Sequence, residues 1–286
     1  MKKVIVLAGP TASGKTSLSI KIAKTLNLEI INGDSVAIYQ DLDIGSAKIT
    51  EQEKEGVKHH LLSVVPAGQP YSVYDYQIDV RKSIDNVNFP MIVGGSGFYI
   101  KSSLYNYQFD DEIDTIESNY SIEEKIQFIE EKDPNFIFDK QNKRRVDRAF
   151  SQIKQGSKPS EKIEKNEPLY DILMLYLDMP RDRQMELMIK RVDKQIEDGF
   201  IDEVTNLRNK GVVIDNIIGY REINQYLDGE ISLDEAKDKI VKTTFQFSKR
   251  QKTWFLNQMN PIMINPLSNT VVEDSIEIIK NFLAKK

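Results

Sequence analysis

The chain has 286 residues, 40% of them hydrophobic and 29% charged, with a formal net charge of −5; this suits one large or two modest domains with cores of their own. It contains no cysteine, which excludes disulfides, thiolate metal sites and a cysteine nucleophile and suits a reducing cytosol. The acidic balance argues against a general nucleic-acid binder while leaving room for local basic patches, and no run approaches the roughly 18 apolar residues of a membrane span.

The first predicted element is a buried strand, Val4-Ile5-Val6-Leu7-Ala8. Its lead-in, Met1-Lys2-Lys3, imitates a signal peptide, but the apolar run is too short for one. It passes directly into Gly9-Pro10-Thr11-Ala12-Ser13-Gly14-Lys15-Thr16, which matches G-x-x-x-x-G-K-[ST] at each fixed position. A helix is predicted next, with Leu18, Ile22 and Leu26 at i, i+4 and i+8. Strand, glycine loop and helix N-terminus together make an anion site, because loop N–H groups and the helix dipole point at bound phosphate oxygens. Lys15 adds a mobile positive charge, and the Thr16 hydroxyl suits Mg²⁺. The motif specifies a diphosphate or triphosphate without saying which compound carries it.

A short strand at Glu29–Ile31 leads to Asp34-Ser35. A carboxylate there suits a general base or indirect Mg²⁺ binding, and equally suits a turn that starts the next segment. His59 and His60 are adjacent on one element, so their side chains point apart and a structural role is expected. The strand Met91–Val93 runs into Gly94-Gly95-Ser96-Gly97, a flexible loop that would let a substrate approach the backbone. Residues 106–139 are acidic and aromatic, with Ile122, Ile126 and Ile129 in a helical pattern, and predict a small helical insertion. The expected division is a core of residues 1–105 and 140–286 around an insertion at 106–139.

Beyond it, Lys140, Lys143, Arg144, Arg145 and Arg148 form a basic cluster, and Gly156–Pro168 reads as a polar loop. The apolar strand Ile172–Leu177 ends at Asp178, which reads either as a Mg²⁺-holding aspartate or as the cap of a helix beginning near Pro180-Arg181. Arg191 sits at the edge of a helical stripe formed by Met188, Val192 and Ile196, within reach of a phosphate. Ser232 and Glu235 have capping-box spacing. A second basic cluster, Lys242 to Lys252, is interleaved with Phe245 and Phe247 and followed by Trp254. Such a segment either binds RNA phosphates and stacks bases or is a solvated helix face with its aromatics in the core. Strands alternating with helices predict an α/β fold, a P-loop kinase-like parallel sheet with helices on both faces, whose ligands bind beyond the carboxyl ends of the strands.

These segments occur in an order that resembles the tRNA dimethylallyltransferase family of isopentenyl-transferring enzymes. The resemblance is carried by the P-loop, Asp34-Ser35 with Ile38-Tyr39, Asp43-Ile44-Gly45-Ser46-Ala47-Lys48, His59-His60-Leu61, Tyr71-Ser72-Val73 and Val93 to Ile100. It continues through Arg144-Arg145-Val146 with Arg148-Ala149, Asp178-Met179-Pro180-Arg181, Arg191-Val192-Asp193, Ile218 to Glu222 and Lys249-Arg250-Gln251 with Thr253-Trp254-Phe255. It implies that the cradle, Gly9 with Thr11, Ala12, Ser13, Gly14, Lys15 and Thr16, holds the diphosphate of dimethylallyl diphosphate rather than ATP. The acceptor it implies is N6 of the adenosine 3′ to the anticodon of tRNA. Asp34 matches the family's catalytic aspartate and Arg191 its diphosphate-contacting arginine, with Thr11 and Lys15 completing the catalytic set. Ser35, Val36, Ala37 and Ser96 fall, with Asp34, where the family touches the acceptor nucleotide. Arg144, Arg145, Arg148 and Arg221 fall in its tRNA-contacting segments. Mg²⁺, held by Thr16, is the implied cofactor, Asp178 reverts to a helix-start role, and a cytoplasmic monomer is expected.

The chain departs from the family pattern at Asp139-Lys140-Gln141, Ser151, Leu187, Phe245 and Leu256, all outside the P-loop and Asp34. Three other functions share parts of the pattern. A P-loop kinase acting on a small metabolite would use Asp178 on Mg²⁺, and a prenyltransferase acting on free AMP would not need two basic clusters. An RNA-binding module with a vestigial P-loop would survive loss of Lys15.

Overall fold

The structure is a computed structural model that describes residues 1–107, 109, 120–161 and 167–285. In chain order the elements are β1 (Lys3–Ala8), α1 (Lys15–Leu26), β2 (Glu29–Gly33), β3 (His59–His60), α2 (Val73–Asn86), β4 (Pro90–Gly94) and α3 (Gly97–Leu104). Then come α4 (Ile122–Lys132), α5 (Lys143–Lys154), β5 (Asp171–Leu177), α6 (Arg181–Glu197), α7 (Phe200–Asn209), α8 (Tyr220–Leu227), α9 (Leu233–Met259), β6 (Ile262–Ile264) and α10 (Val271–Ala284).

Among the described residues the strands form one six-stranded sheet in the order β3-β2-β4-β1-β5-β6. Every pairing is parallel, as the α/β reading requires. The central strand β1 is buried from Val4 to Ala8, which is why its sequence is a continuous apolar run rather than an alternating one. One face of the sheet packs Val4, Val6, Ile31, Ile92, Met174 and Tyr176 against Tyr76, Ile100 and Phe255. The other packs Ile5, Leu7, Ile30, Met91 and Leu175 against Leu18, Ile22, Ile279 and Phe282. A third apolar cluster, built on Phe200, Val204, Tyr220, Ile223 and Ile240, ties together α7, α8 and α9. β2 and β4 meet at a glycine pair, Gly33 and Gly94; a Cβ on Gly94 would lie 2.0 Å from the Gly33 carbonyl oxygen, so the register admits no side chain there.

The chain forms two compact units, residues 1–105 with 168–286, and residues 106–167. The second unit runs to Glu167 and so contains α5, which a boundary at residue 139 would assign to the core. Its physical basis is a small core of its own, in which Val146, Ala149 and Phe150 of α5 meet Ile129 of α4. A pair between Lys125 and Asp147, 2.7 Å apart, reinforces that contact. Residues 108 and 110–119 of the expected insertion, and 162–166 of the expected polar loop, lie outside the described residues.

Candidate active site

The P-loop leaves β1 at Gly9 and enters α1 at Lys15. Two residues of the loop are left-handed, Ala12 at φ +62° and Gly14 at φ +84°, which turns successive N–H groups toward one point. The N-cap, Gly14, offers no side chain to the first turn of α1, and that turn carries no acidic residue. Its orphan N–H groups are thus left to an anion. Lys15 Nζ donates to the carbonyls of Gly9 (2.9 Å) and Pro10 (2.7 Å). Burial, and then the Arg191 cation, bring the pKa of this ammonium down to about 8, against the opposing pull of Asp34. Burial also lowers the pKa of Arg191, with Asp34 again opposing. Two cations compressed into one partly desolvated space are most readily relieved by a multivalent anion.

Asp34 follows β2, and Asn32 holds it from both sides. The Asp34 N–H donates to Asn32 Oδ1 at 3.0 Å, and Asn32 Nδ2 donates to the Asp34 carbonyl at 2.9 Å and to that of Leu61 at 3.0 Å. Asn32 is in turn fixed by the buried Tyr76 hydroxyl, which donates to its carbonyl at 2.7 Å. Asp34 Oδ1 accepts from the Val36 N–H at 2.8 Å and from Ala37 at 3.4 Å. Ser96 Oγ accepts from the Ser35 N–H at 3.0 Å, pinning this turn to the end of β4.

A cavity of about 860 Å³ joins these parts within the first unit. Gly9, Thr11, Lys15 and Arg191 line it, as do Asp34, Ser35, Val36 and Ser96. An apolar wall including Ile214, Ile218, Val241 and Phe247 completes it. That volume is in the range of small-molecule sites and accommodates two reactants of modest size.

The other expected site residues stand elsewhere. Ala12, Ser13, Gly14 and Thr16 are on the loop and first turn of α1 but are not cavity-lining; Ser13 is buried and Thr16 exposed. Ala37 is buried beneath the turn. Arg221 is exposed on α8 with its guanidinium on the Glu222 carboxylate. Arg144, Arg145 and Arg148 are on α5, in the second unit, with Arg144 and Arg145 exposed.

The geometry corrects three expectations. Asp178 does not cap α6, whose N-cap is Pro180 with no side-chain bond; its Oδ1 accepts instead from Lys252 Nζ at 2.6 Å. The Gly94–Gly97 loop is shared between protein and cavity: a Cβ on Gly97 would lie 2.3 Å from Trp254 Cε3 and one on Gly95 would lie 2.7 Å from Gln251 Nε2, while Gly95 and Ser96 line the cavity. The second basic cluster is neither wholly solvated nor wholly in the core. Phe255 is buried and Phe247 exposed, Lys249 sits 4.9 Å from the Phe245 ring centroid, and Arg250 sits 5.8 Å from that of Phe247.

His59 and His60 have structural partners, as expected, in the Val57 carbonyl and the Glu29 carboxylate. Sequence reasoning misses Gln195 and Gln251, both cavity-lining. Gln251 stands in a segment whose evident signal is charge; it donates to the Gly95 carbonyl at 2.7 Å. Among the described residues no helix is long and apolar enough to cross a membrane.

Comparison with known proteins gives a consistent result. The IPP transferase family model matches residues 37–258, and the isopentenyl transferase model matches residues 2–65. A tRNA dimethylallyltransferase of Acholeplasma laidlawii is 52% identical over 283 residues, covering 99% of each chain. That of Bacillus subtilis is 40% identical over 277 residues, covering 90% of this chain and 88% of the relative. Among solved structures, a tRNA isopentenylpyrophosphate transferase of Staphylococcus epidermidis has a TM-score of 0.76 at 32% identity, covering 99% of this chain and all (100%) of the other. A eukaryotic dimethylallyltransferase acting on tRNA has a TM-score of 0.82 at 26% identity, covering 99% of this chain and 80% of that one.

Proposed function

The chain belongs to the IPP transferase family of tRNA dimethylallyltransferases, and from that premise we propose that it transfers a dimethylallyl group from dimethylallyl diphosphate to N6 of the adenosine 3′ to the anticodon of tRNA, releasing diphosphate. The observation that carries this reading is the shared cavity, which Lys15, Thr11 and Arg191 line together with Asp34, Ser35 and Ser96. The cations and the loop amides receive the diphosphate. As the allylic C–O bond breaks, its electron pair leaves with the diphosphate, and the developing charge meets donors already in place. The N6 lone pair forms the new C–N bond, and the N6 proton passes to Asp34. Asp34 Oδ1 is engaged in the turn, so Oδ2 is the oxygen assigned to that proton. The apolar wall keeps water from an allylic centre that ionises readily.

Mg²⁺ fits the donor chemistry. Among the described residues no group of three or more His, Asp or Glu is clustered as a metal site. The protein would therefore contribute the Thr16 hydroxyl, with diphosphate oxygens and water as the remaining ligands, a shell Mg²⁺ commonly keeps. Bound there, it would neutralise charge on the leaving group. For tRNA, Arg144, Arg145, Arg148 and Arg221 are the assigned phosphate contacts. We read the chain as a cytoplasmic monomer.

The test is incubation of the protein with dimethylallyl diphosphate, Mg²⁺ and unmodified tRNA, followed by nucleoside mass spectrometry. A five-carbon mass increase on adenosine is expected. No product on any tRNA bearing that adenosine would overturn the reading.

A further inference from the structure

We infer that Glu203 is a positioning residue for the diphosphate end of the cavity, acting through a backbone loop that it holds with both carboxylate oxygens. The inference rests on the proposed role of Arg191 as a diphosphate ligand. Glu203 is on α7 and touches neither Arg191 nor the P-loop in any hydrogen bond of the described residues. Its Oε2 accepts from the N–H groups of Asp43 (2.8 Å) and Ile44 (2.6 Å). Its Oε1 accepts from the N–H of Gly45 (3.0 Å) and from the hydroxyl of Tyr220 (2.7 Å). Three consecutive amides converging on one carboxylate form an anion nest filled by the protein's own side chain.

The far side of the same loop is held by α6. Arg191 Nη2 donates to the Ser46 carbonyl at 3.1 Å, and Gln195 Nε2 donates to the carbonyls of Ile44 (2.6 Å) and Gly45 (2.9 Å). Arg191 and Gln195 are one helical turn apart and present the same face to the loop. The loop is thus oriented from both edges, the N–H groups of residues 43–45 toward Glu203 and the carbonyls of residues 44–46 toward α6. If Glu203 loses its charge, the amides have no acceptor of matching geometry, and the carbonyl that aims the Arg191 guanidinium is free to rotate away.

Packing excludes a loose fit. A Cβ on Gly45 would lie 2.2 Å from Phe200 and 2.7 Å from the Tyr220 ring, and those two rings meet edge to face at 5.1 Å between centroids. The loop is therefore seated against α7 and the start of α8, where only glycine fits. Tyr220 follows Gly219 and Ile218, which line the cavity, so the same carboxylate also ties in the segment flanking the apolar wall.

The isosteric variant Glu203→Gln is the sharpest probe. Whichever way its amide is oriented, the NH₂ group faces N–H or O–H donors, either those of Asp43 and Ile44 or those of Gly45 and Tyr220. Binding of inorganic diphosphate with Mg²⁺, measured by calorimetry, is expected to weaken about ten-fold in Glu203→Gln, as befits loss of charge-assisted hydrogen bonds. The donor kcat/KM is expected to fall by the same factor, with the tRNA KM changed less than about two-fold. In an Arg191→Ala background the further loss from Glu203→Gln should shrink to less than about two-fold, because the two residues act on one contact.

A purely structural role would give equal losses in both backgrounds, and that result overturns the inference. So does unchanged diphosphate affinity in Glu203→Gln. Should Glu203→Gln fail to fold, Tyr220→Phe, which removes one arm of the same carboxylate, replaces it in the cycle under the same criteria. Wild-type diphosphate binding without prenyl transfer would remove the proposed reaction and leave the Glu203 coupling measurable; absence of diphosphate binding in the wild type would remove both.

Discussion

Lys15 gives the most direct physical test of the diphosphate cradle. Its ammonium, held down to about pKa 8 by burial and by Arg191, loses about nine-tenths of its charge one pH unit above that value. A diphosphate pocket whose mobile cation is neutral should bind its donor weakly. The donor kcat/KM, which reports the free enzyme, should therefore fall above about pH 8 and approach a ten-fold drop per pH unit by about pH 9.5. Bound diphosphate favours the charged form, so the corresponding limb in kcat should lie at higher pH. The assay is initial-rate transfer to saturating tRNA, read by nucleoside mass spectrometry across about pH 6.5 to 9.5. Lys15→Arg, whose guanidinium stays charged throughout, should lack the limb whatever its absolute rate. A wild-type profile flat to about pH 9.5, or the same limb surviving in Lys15→Arg, would refute the assignment of this limb to Lys15. The stability linkage has a definite sign. The folded-state pKa lies below the ordinary lysine value of 10.5, so between about 8 and 10.5 the unfolded chain binds more protons. Stability should rise with pH across that window, and below it the Lys15 contribution should no longer vary with pH.

Three further outcomes follow from the same geometry. Asp34→Asn keeps an Oδ1 acceptor for the Val36 N–H but cannot take the N6 proton, so single-turnover transfer should slow by about a hundred- to ten-thousand-fold without a rise in donor KM. Replacing Arg144 and Arg145 together by alanine should weaken tRNA binding at low salt and reduce the log–log salt slope by about 1 for each of the two arginines that meets a phosphate, measured by filter binding; an unchanged slope would take both residues out of the tRNA surface. Gly97→Ala would place its Cβ 2.3 Å from Trp254 Cε3, and calorimetry should show Tm lowered by several degrees, corresponding to about 1–3 kcal/mol of overpacking.

The parts of the fold legible in the sequence are those with a local signature. The four longer strands are apolar runs, and the P-loop carries its own fixed residues. The two short edge strands have no such mark: His59–His60 is two residues long and Ile262–Ile264 three, too short for any periodicity. The insertion boundary falls in the wrong place because α5 is amphipathic in either assignment. Periodicity reveals that Val146, Ala149 and Phe150 share a face, but not that the face belongs against Ile129. Asp34 poses a choice between turn and chemistry: the structure shows one carboxylate oxygen making the turn, and the proposed reaction assigns the proton to the other. Asp178 misleads because its partner, Lys252, is 74 residues away. Glu203 escapes notice because it binds backbone N–H groups of Asp43, Ile44 and Gly45, and a backbone donor leaves no mark in the residue types it belongs to.

A P-loop can hold the group that is transferred or the group that is expelled, and the surroundings decide which. Phosphoryl transfer in P-loop enzymes relies on a strand-terminal aspartate to help hold Mg²⁺ beside the loop. Here the corresponding carboxylate, Asp178 at the end of β5, is paired with Lys252 at 2.6 Å and lines a separate pocket of about 300 Å³ with Arg181 and Lys249. The carboxylate that shares a cavity with Lys15 is Asp34, one strand further across the sheet beyond β4. The cavity lining also carries apolar side chains, whereas a phosphoryl group in flight needs donors around its equatorial oxygens. Val213, Ile214, Ile218 and Val241 supply none from their side chains. They suit a hydrocarbon that carries transient positive charge and must not meet water. The proposed reaction accordingly puts the negative charge at the loop and the reacting carbon against the apolar side chains, with Asp34 as the base. In the proposed reaction the diphosphate is then the group that leaves.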